Sequence, residues 1–198
     1  MMFSFDDGDM KIFGGGSGSR EQENPDELLL LASALDRQRN NGNLRKARLL
    51  GECIALLTPE SLPEFYDSSS AGSPSPLAGG TSADFYQIRV LMVFSAQLTL
   101  HRRLSSALLS TEAVNAMYRQ LEADALGFYE NIVGGSAFSF YYLSVRHNQD
   151  GAEEIGKNFA MLCGAEQDES YIRTGAAVFQ AVADCVDLWI TQSDFLEE

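Results

Sequence analysis

The chain has 198 residues, 45% of them hydrophobic, and 28 acidic against 14 basic residues, for a formal net charge of −14 and a pI of about 4.4. That length suits one domain, or one domain with a tail, and the apolar content is enough for a sizeable core. The charge repels phosphate backbones and anionic lipid surfaces, so neither nucleic acid nor a membrane is the expected partner.

Residues 1–24 read as a flexible N-terminal tail. MFSF and MKIF have the composition of short strands, and Gly14–Ser19 (GGGSGS) is a linker run that lacks the lysine and the strand–loop–helix setting of a phosphate loop. The opening MMFSFDDGDMK places acids where a secretory leader needs a basic region and a long apolar run, so the cytoplasm is the expected location. A first helix starts at Asn24-Pro25-Asp26-Glu27, with Asn24 as cap and Pro25 in the first turn. Its apolar stripe is Leu28, Leu31, Ala32 and Leu35, and Asn40-Asn41-Gly42 ends it. Asn43 is expected to cap a second helix carrying Leu44, Ala47, Leu50, Ile54 and Leu57, which stops at Thr58-Pro59.

Gly42 in the turn, Ala47 in the second helix and Pro59 after it fall near positions of one tetratricopeptide unit, which this hairpin resembles over about 35 residues. Gly51 and Gln38 depart from that pattern, and no second copy follows, so the segment is read as a generic helical hairpin. A short helical turn is expected from Thr58 towards Tyr66, and residues 67–82, rich in serine, glycine and proline, form a loop.

The stretch from about 83 to 104 is the centre of the reading. Ile88, Val90, Leu91, Met92, Val93, Phe94, Ala96, Leu98 and Leu100 make it apolar on nearly every side, which is the pattern of a helix buried all round. Arg89 and Gln97 interrupt it, and the unbroken apolar run is too short for a membrane span. A helix opening at Ser110-Thr111-Glu112 follows, with one stripe from Val114 to Ile132 ended by Gly134-Gly135. The aromatic segment Phe138–Val145 is assigned to a helix. A further helix is capped near Asp150-Gly151 and ends by Gly164. The last opens at Asp168-Glu169-Ser170 with Ile172, Ala176, Phe179, Val182, Ala183, Val186 and Trp189 as its stripe, and should pack beside the central helix.

Side chains suited to catalysis are sparse. Cys53, Cys163 and Cys185 are widely spaced, with no CxxC pair, and read as buried reduced thiols rather than a zinc site or disulfide framework. His101, beside Arg102 and Arg103, sits at a helix end where cations are favoured. His147 precedes Asp150, Glu153 and Glu154 but lacks an ExxH or HExxH motif, so no metal and no cofactor is expected. Tyr141 and Tyr142, with His147, are the residues by which the 138–147 segment would line a small-molecule pocket. The other candidate is electrostatic. Residues 28–58 hold five bases and two acids, net +3, whereas residues 150–198 hold eleven acids and two bases, net −9. Arg37, Arg45 and Arg48 are therefore candidate binding residues for an acidic partner.

The expected fold is an all-α, single-domain bundle of about six mainly antiparallel helices around the buried central helix, with residues 25–198 as the domain. The expected function is a non-catalytic, cytoplasmic protein-interaction or regulatory module, with no catalytic residues. Its partner would be another protein or a second copy, a homodimer being the self-association that the charge asymmetry suggests. The alternatives are a small-molecule-binding bundle using residues 138–147, and an enzyme centred on His147 and the nearby acids.

Overall fold

The computed structural model describes residues 25–61, 81–147 and 151–196. The tail with its strand-like segments and glycine run, and the loop over 62–80, lie outside the described residues. Two compact units divide the chain, residues 1–35 and 36–198. The described part of the first is the opening of α1 (Pro25–Asn40). Leu28, Leu29, Leu30 and Leu31 are all exposed there, and so is Ala32, with Leu35 half-buried. The expected stripe of α1 is thus not a core face. Leu28, Leu31 and Ala32 do share a side of the helix, but none of the described residues covers that side.

The second unit holds the last turn of α1, then α2 (Asn43–Ala55), a 3-10 turn (Pro59–Ser61), α3 (Ser82–Arg103), α4 (Ala107–Asp124), α5 (Leu126–Gly134), α6 (Ala137–His147), α7 (Ala152–Leu162) and α8 (Glu169–Gln192). No strand occurs among the described residues, and the fold is all-α. None of the described helices is long and apolar enough to cross a membrane.

Helix α3 is the expected central helix. Every residue from Ile88 to Leu100 is buried except Arg89 and Gln97, which are half-buried. Helices α4, α6, α7 and α8 all pack against it, α8 most extensively. A capping box starts α3: the Thr81 hydroxyl accepts from the Asp84 N–H at 3.3 Å, and the Asp84 carboxylate accepts from the Thr81 N–H at 2.7 Å. Its last turn carries His101, Arg102 and Arg103, complementing the negative end of the dipole. The buried hydroxyls of Ser95 and Thr99 donate to carbonyls one turn back, Leu91 and Ser95, so neither needs a partner from another helix.

Three expectations are corrected. The stripe expected as one helix from Ser110 to about Gly134 is two helices, α4 beginning already at Ala107, with a break at Ala125 (φ −149°, ψ 56°). No proline or glycine stands at 125. Instead the redirected chain brings Phe128 edge-on to Tyr86 at 5.6 Å and Tyr129 edge-on to Tyr118 at 6.2 Å, with the Arg89 guanidinium 4.3 Å from the Phe128 ring centre. Such aromatic and cation–π contacts offset the interrupted helix hydrogen bonding. Asn43 does not cap α2. Gly42, at φ 82°, occupies the cap position in the left-handed conformation that the tight α1–α2 turn requires, and Asn43 turns inward. Finally, Cys53 is exposed, while Cys163 and Cys185 are half-buried.

Two helix crossings are backbone on backbone. A β-carbon on Gly51 of α2 would lie 2.0 Å from the Ala113 carbonyl oxygen of α4, and one on Gly156 of α7 would lie 2.2 Å from the Ile172 carbonyl oxygen of α8. Gly127 of α5 has open space around it. We expect Gly51→Ala and Gly156→Ala each to cost at least about 3 kcal/mol, because backbone and not a flexible side chain must shift. In thermal melts this is a fall in Tm of roughly 6–12 °C. Gly127→Ala, an exposed helical site, should instead raise stability by about 0.5 kcal/mol. Equal melts for all three variants would contradict the close crossings.

Candidate interaction surface

The five cations of the α1–α2 hairpin are not equivalent. Arg39 pairs with Asp36 at 3.5 Å, with both side chains mostly in solvent. The Arg48 Nε donates to Glu112 Oε1 of α4 at 2.8 Å, and Arg119 reaches the same oxygen at 3.3 Å. Lys46 donates through Nζ to the Asp194 carbonyl oxygen just after α8. Arg37 and Arg45 are exposed and have no ion pair among the described residues. Among the described residues, the acidic region 150–198 therefore meets the cations of this hairpin through a backbone carbonyl at Lys46, not through its carboxylates.

Helical geometry sets Arg45, Arg48, Leu49, Glu52, Cys53 and Leu56 along one side of α2 and its end, at spacings of three and four. The opposite side, with Ala47, Leu50, Gly51 and Ile54, is buried, and α2 packs chiefly on α4. Leu49 is 49% exposed and Leu56 61%. The outward face of α2 thus mixes apolar groups with Arg45, with Arg48 in its pair with Glu112, and with the half-buried acid Glu52. Leu49 and Leu56 were not singled out from the sequence, and Cys53 was read there as a buried thiol. Their signal was there, as apolar residues left over at i, i+4 and i+7 on the polar side of an amphipathic helix.

The aromatic candidates lie mostly in the interior. Tyr141 is fully buried, with its ring 5.1 Å from Phe94, and Tyr142 and Phe138 meet Phe94 edge-on at 5.0 and 5.6 Å. The Tyr118 hydroxyl donates to Gln97 Oε1 at 2.6 Å, and Gln97 Nε2 donates to the Tyr142 hydroxyl at 3.0 Å. This chain gives the half-buried Gln97 of the central helix both kinds of partner. Burial pushes the phenols of Tyr118, Tyr141 and Tyr142 above the ordinary tyrosine value. The Tyr141 hydroxyl has no hydrogen-bond partner among the described residues, and neither does the side-chain oxygen Oε1 of Gln87. His147 closes α6; its side chain and Asp150 lie outside the described residues. Glu153 and Glu154 both engage Lys157, at 3.0 and 2.7 Å.

Other chemistry-bearing groups are engaged within the fold. The Cys163 thiol is pushed up to about 12, first by burial and then by the Asp84 carboxylate beside it, so it is a protonated thiol and a poor nucleophile near neutrality. Ser110 Oγ lies 2.6 Å from His101 Nδ1, but Ser110 is buried and offers a substrate no approach, so this contact joins the end of α3 to the start of α4. No three His, Cys, Asp or Glu side chains converge as a metal site among the described residues. A cavity of about 10 Å³ beside Arg89, Met92, Met117 and Leu121 has room for one water. No protein-family model, curated protein or solved structure matches the chain.

The tyrosines and Cys163 give a pH dependence of definite sign. Folded-state values lie above the ordinary 10.0 and 9.0, so the unfolded chain loses these protons first, and stability falls as pH rises from about 9 to 12. Urea midpoints measured across that interval should fall, and the fall should shrink in Cys163→Ala. The unpaired hydroxyl is tested at pH 7. Tyr141→Phe should be neutral or stabilising, whereas Tyr118→Phe, which leaves Gln97 without its donor, should cost about 1–2 kcal/mol. Equal losses for the two would contradict the hydrogen bonding described.

Proposed function

We propose that the protein is a non-catalytic, cytoplasmic interaction module that binds an acidic protein surface through the outward face of α2, and that a second copy of the chain is the first such partner. The observation that carries this reading is the mixed face itself, on which exposed Arg45 and Arg48 stand beside exposed Leu49 and Leu56. A cation in water adds little to stability, and an exposed leucine adds less. Together they suit a partner that carries acids around apolar residues. Helix α8 has that character on its own outer side, where exposed Asp184 and Leu188 (54% exposed) lie in the most acidic part of the chain. The exposed Cys53 thiol also favours a reducing compartment, where it stays free.

Light scattering in low and high salt tests this. The expected result is a dimer at about tens of micromolar protein in low salt that dissociates as salt rises, because the exposed charges are screened. Arg45→Glu combined with Leu49→Glu should abolish it while leaving the helical circular dichroism intact. A monomer under all these conditions would sink the self-association reading.

A further inference from the structure

The segment that follows α8 is held in an unusual way. Asn43, fully buried, has both its N–H groups and its oxygen engaged: Nδ2 donates to Gln38 Oε1 at 2.8 Å and to the Leu196 carbonyl oxygen at 2.9 Å, while Oδ1 accepts the Leu196 N–H at 3.0 Å. One side-chain amide thus reads both backbone groups of a single residue, as a neighbouring strand would. Lys46 holds the Asp194 carbonyl. Asp194 itself takes the left-handed conformation, φ 48°, which turns the chain away from the helix axis. Phe195 packs against the core, but Leu196 is 52% exposed. Gln38 is buried behind Asn43, and Asn41 orients the site by accepting the Asn43 N–H at 3.0 Å.

We propose that this groove, between the α1–α2 turn and the end of α8, is a recognition site for an extended peptide presenting an aromatic and then an aliphatic residue among acids, and that residues 194–196 occupy it in cis. The carboxamide reads backbone and so accepts many sequences. The Phe195 position supplies the apolar anchor, and Lys46 favours acidic flanks, which Ser193-Asp194-Phe195-Leu196-Glu197-Glu198 supplies. The inference rests on the reading of the chain as an interaction module and adds a surface distinct from the outward face of α2. A tethered occupant competes at an effective concentration of about millimolar, so a partner binds when the segment is drawn out.

Fluorescence anisotropy with a labelled octapeptide of residues 191–198 tests it on the full chain. Two variants weaken the cis contact: Phe195→Ser removes the anchor, and Asp194→Pro forbids the positive φ. Each should bind the peptide at least about tenfold more tightly than the unaltered chain. The same peptide N-methylated at its leucine cannot donate to Asn43 and should bind at least about tenfold more weakly. The α2 face variant Arg45→Glu/Leu49→Glu should keep more of its peptide binding than Lys46→Glu does, which separates failure of this site from failure of the dimer. Folded variants that bind no better than the unaltered chain, or an N-methylated peptide that binds equally well, would overturn the proposal. So would unfolding of both variants, because the segment would then be a fixed part of the core.

Discussion

The absence of a solvent face on α3 between Ile88 and Leu100 is the constraint from which the rest of the second unit follows. A helix apolar all round cannot be stable until it is covered all round. Its neighbours must therefore be many and must arrive from several directions, as α4, α6, α7 and α8 do. Phe94 shows the result at one residue: three aromatic rings of α6 gather around a single ring of α3. The polar groups on α3 are handled so as not to disturb this. Ser95 and Thr99 turn back onto their own helix, Gln97 is closed off by two tyrosines, and Arg89 lies over Phe128.

The outer helices solve a different problem, that of reaching each other. Gly51 lets α2 approach α4 at Ala113, and Gly156 lets α7 approach α8 at Ile172, while Gly175 admits the Phe159 side chain. Interiors are close-packed, so a crossing set by backbone leaves little latitude in the angle between two helices. This is why the outward face of α2 has a defined orientation on the surface and can present Arg45, Leu49 and Leu56 as one patch.

The central helix and its last neighbour were legible in the sequence because burial leaves a pattern. The all-round apolar run of α3 and the stripe of α8 from Ile172 to Trp189 each point to one arrangement only. What was not legible depends on contacts distant in sequence. Ala125 breaks a helix without any breaker residue, since Tyr86 and Tyr118, on two other helices, determine where Phe128 and Tyr129 point. Asn43 has the composition of a cap but serves a backbone far along the chain. Leu28 and Leu31 have helical spacing yet are exposed, because periodicity shows that a face exists and not what meets it. Of the candidate site residues, Arg45 and Arg48 share one face, Tyr141 and Tyr142 belong to the aromatic interior, and no single site gathers those that are described.

The pairing of Asn43 with Leu196 has a kinetic consequence. It closes a loop of 153 residues, whereas α7 and α8 meet across a short turn. Loop-closure entropy opposes such a long-range contact until the intervening helices are already in place. The α7–α8 pair can form early on the folding path, and the clasp at Asn43 comes last. Run in reverse, the same order makes residues 194–196 the first part of the second unit to open. Amide exchange at Leu196 would then report a small local opening, long before the core amides of α3 exchange through global unfolding.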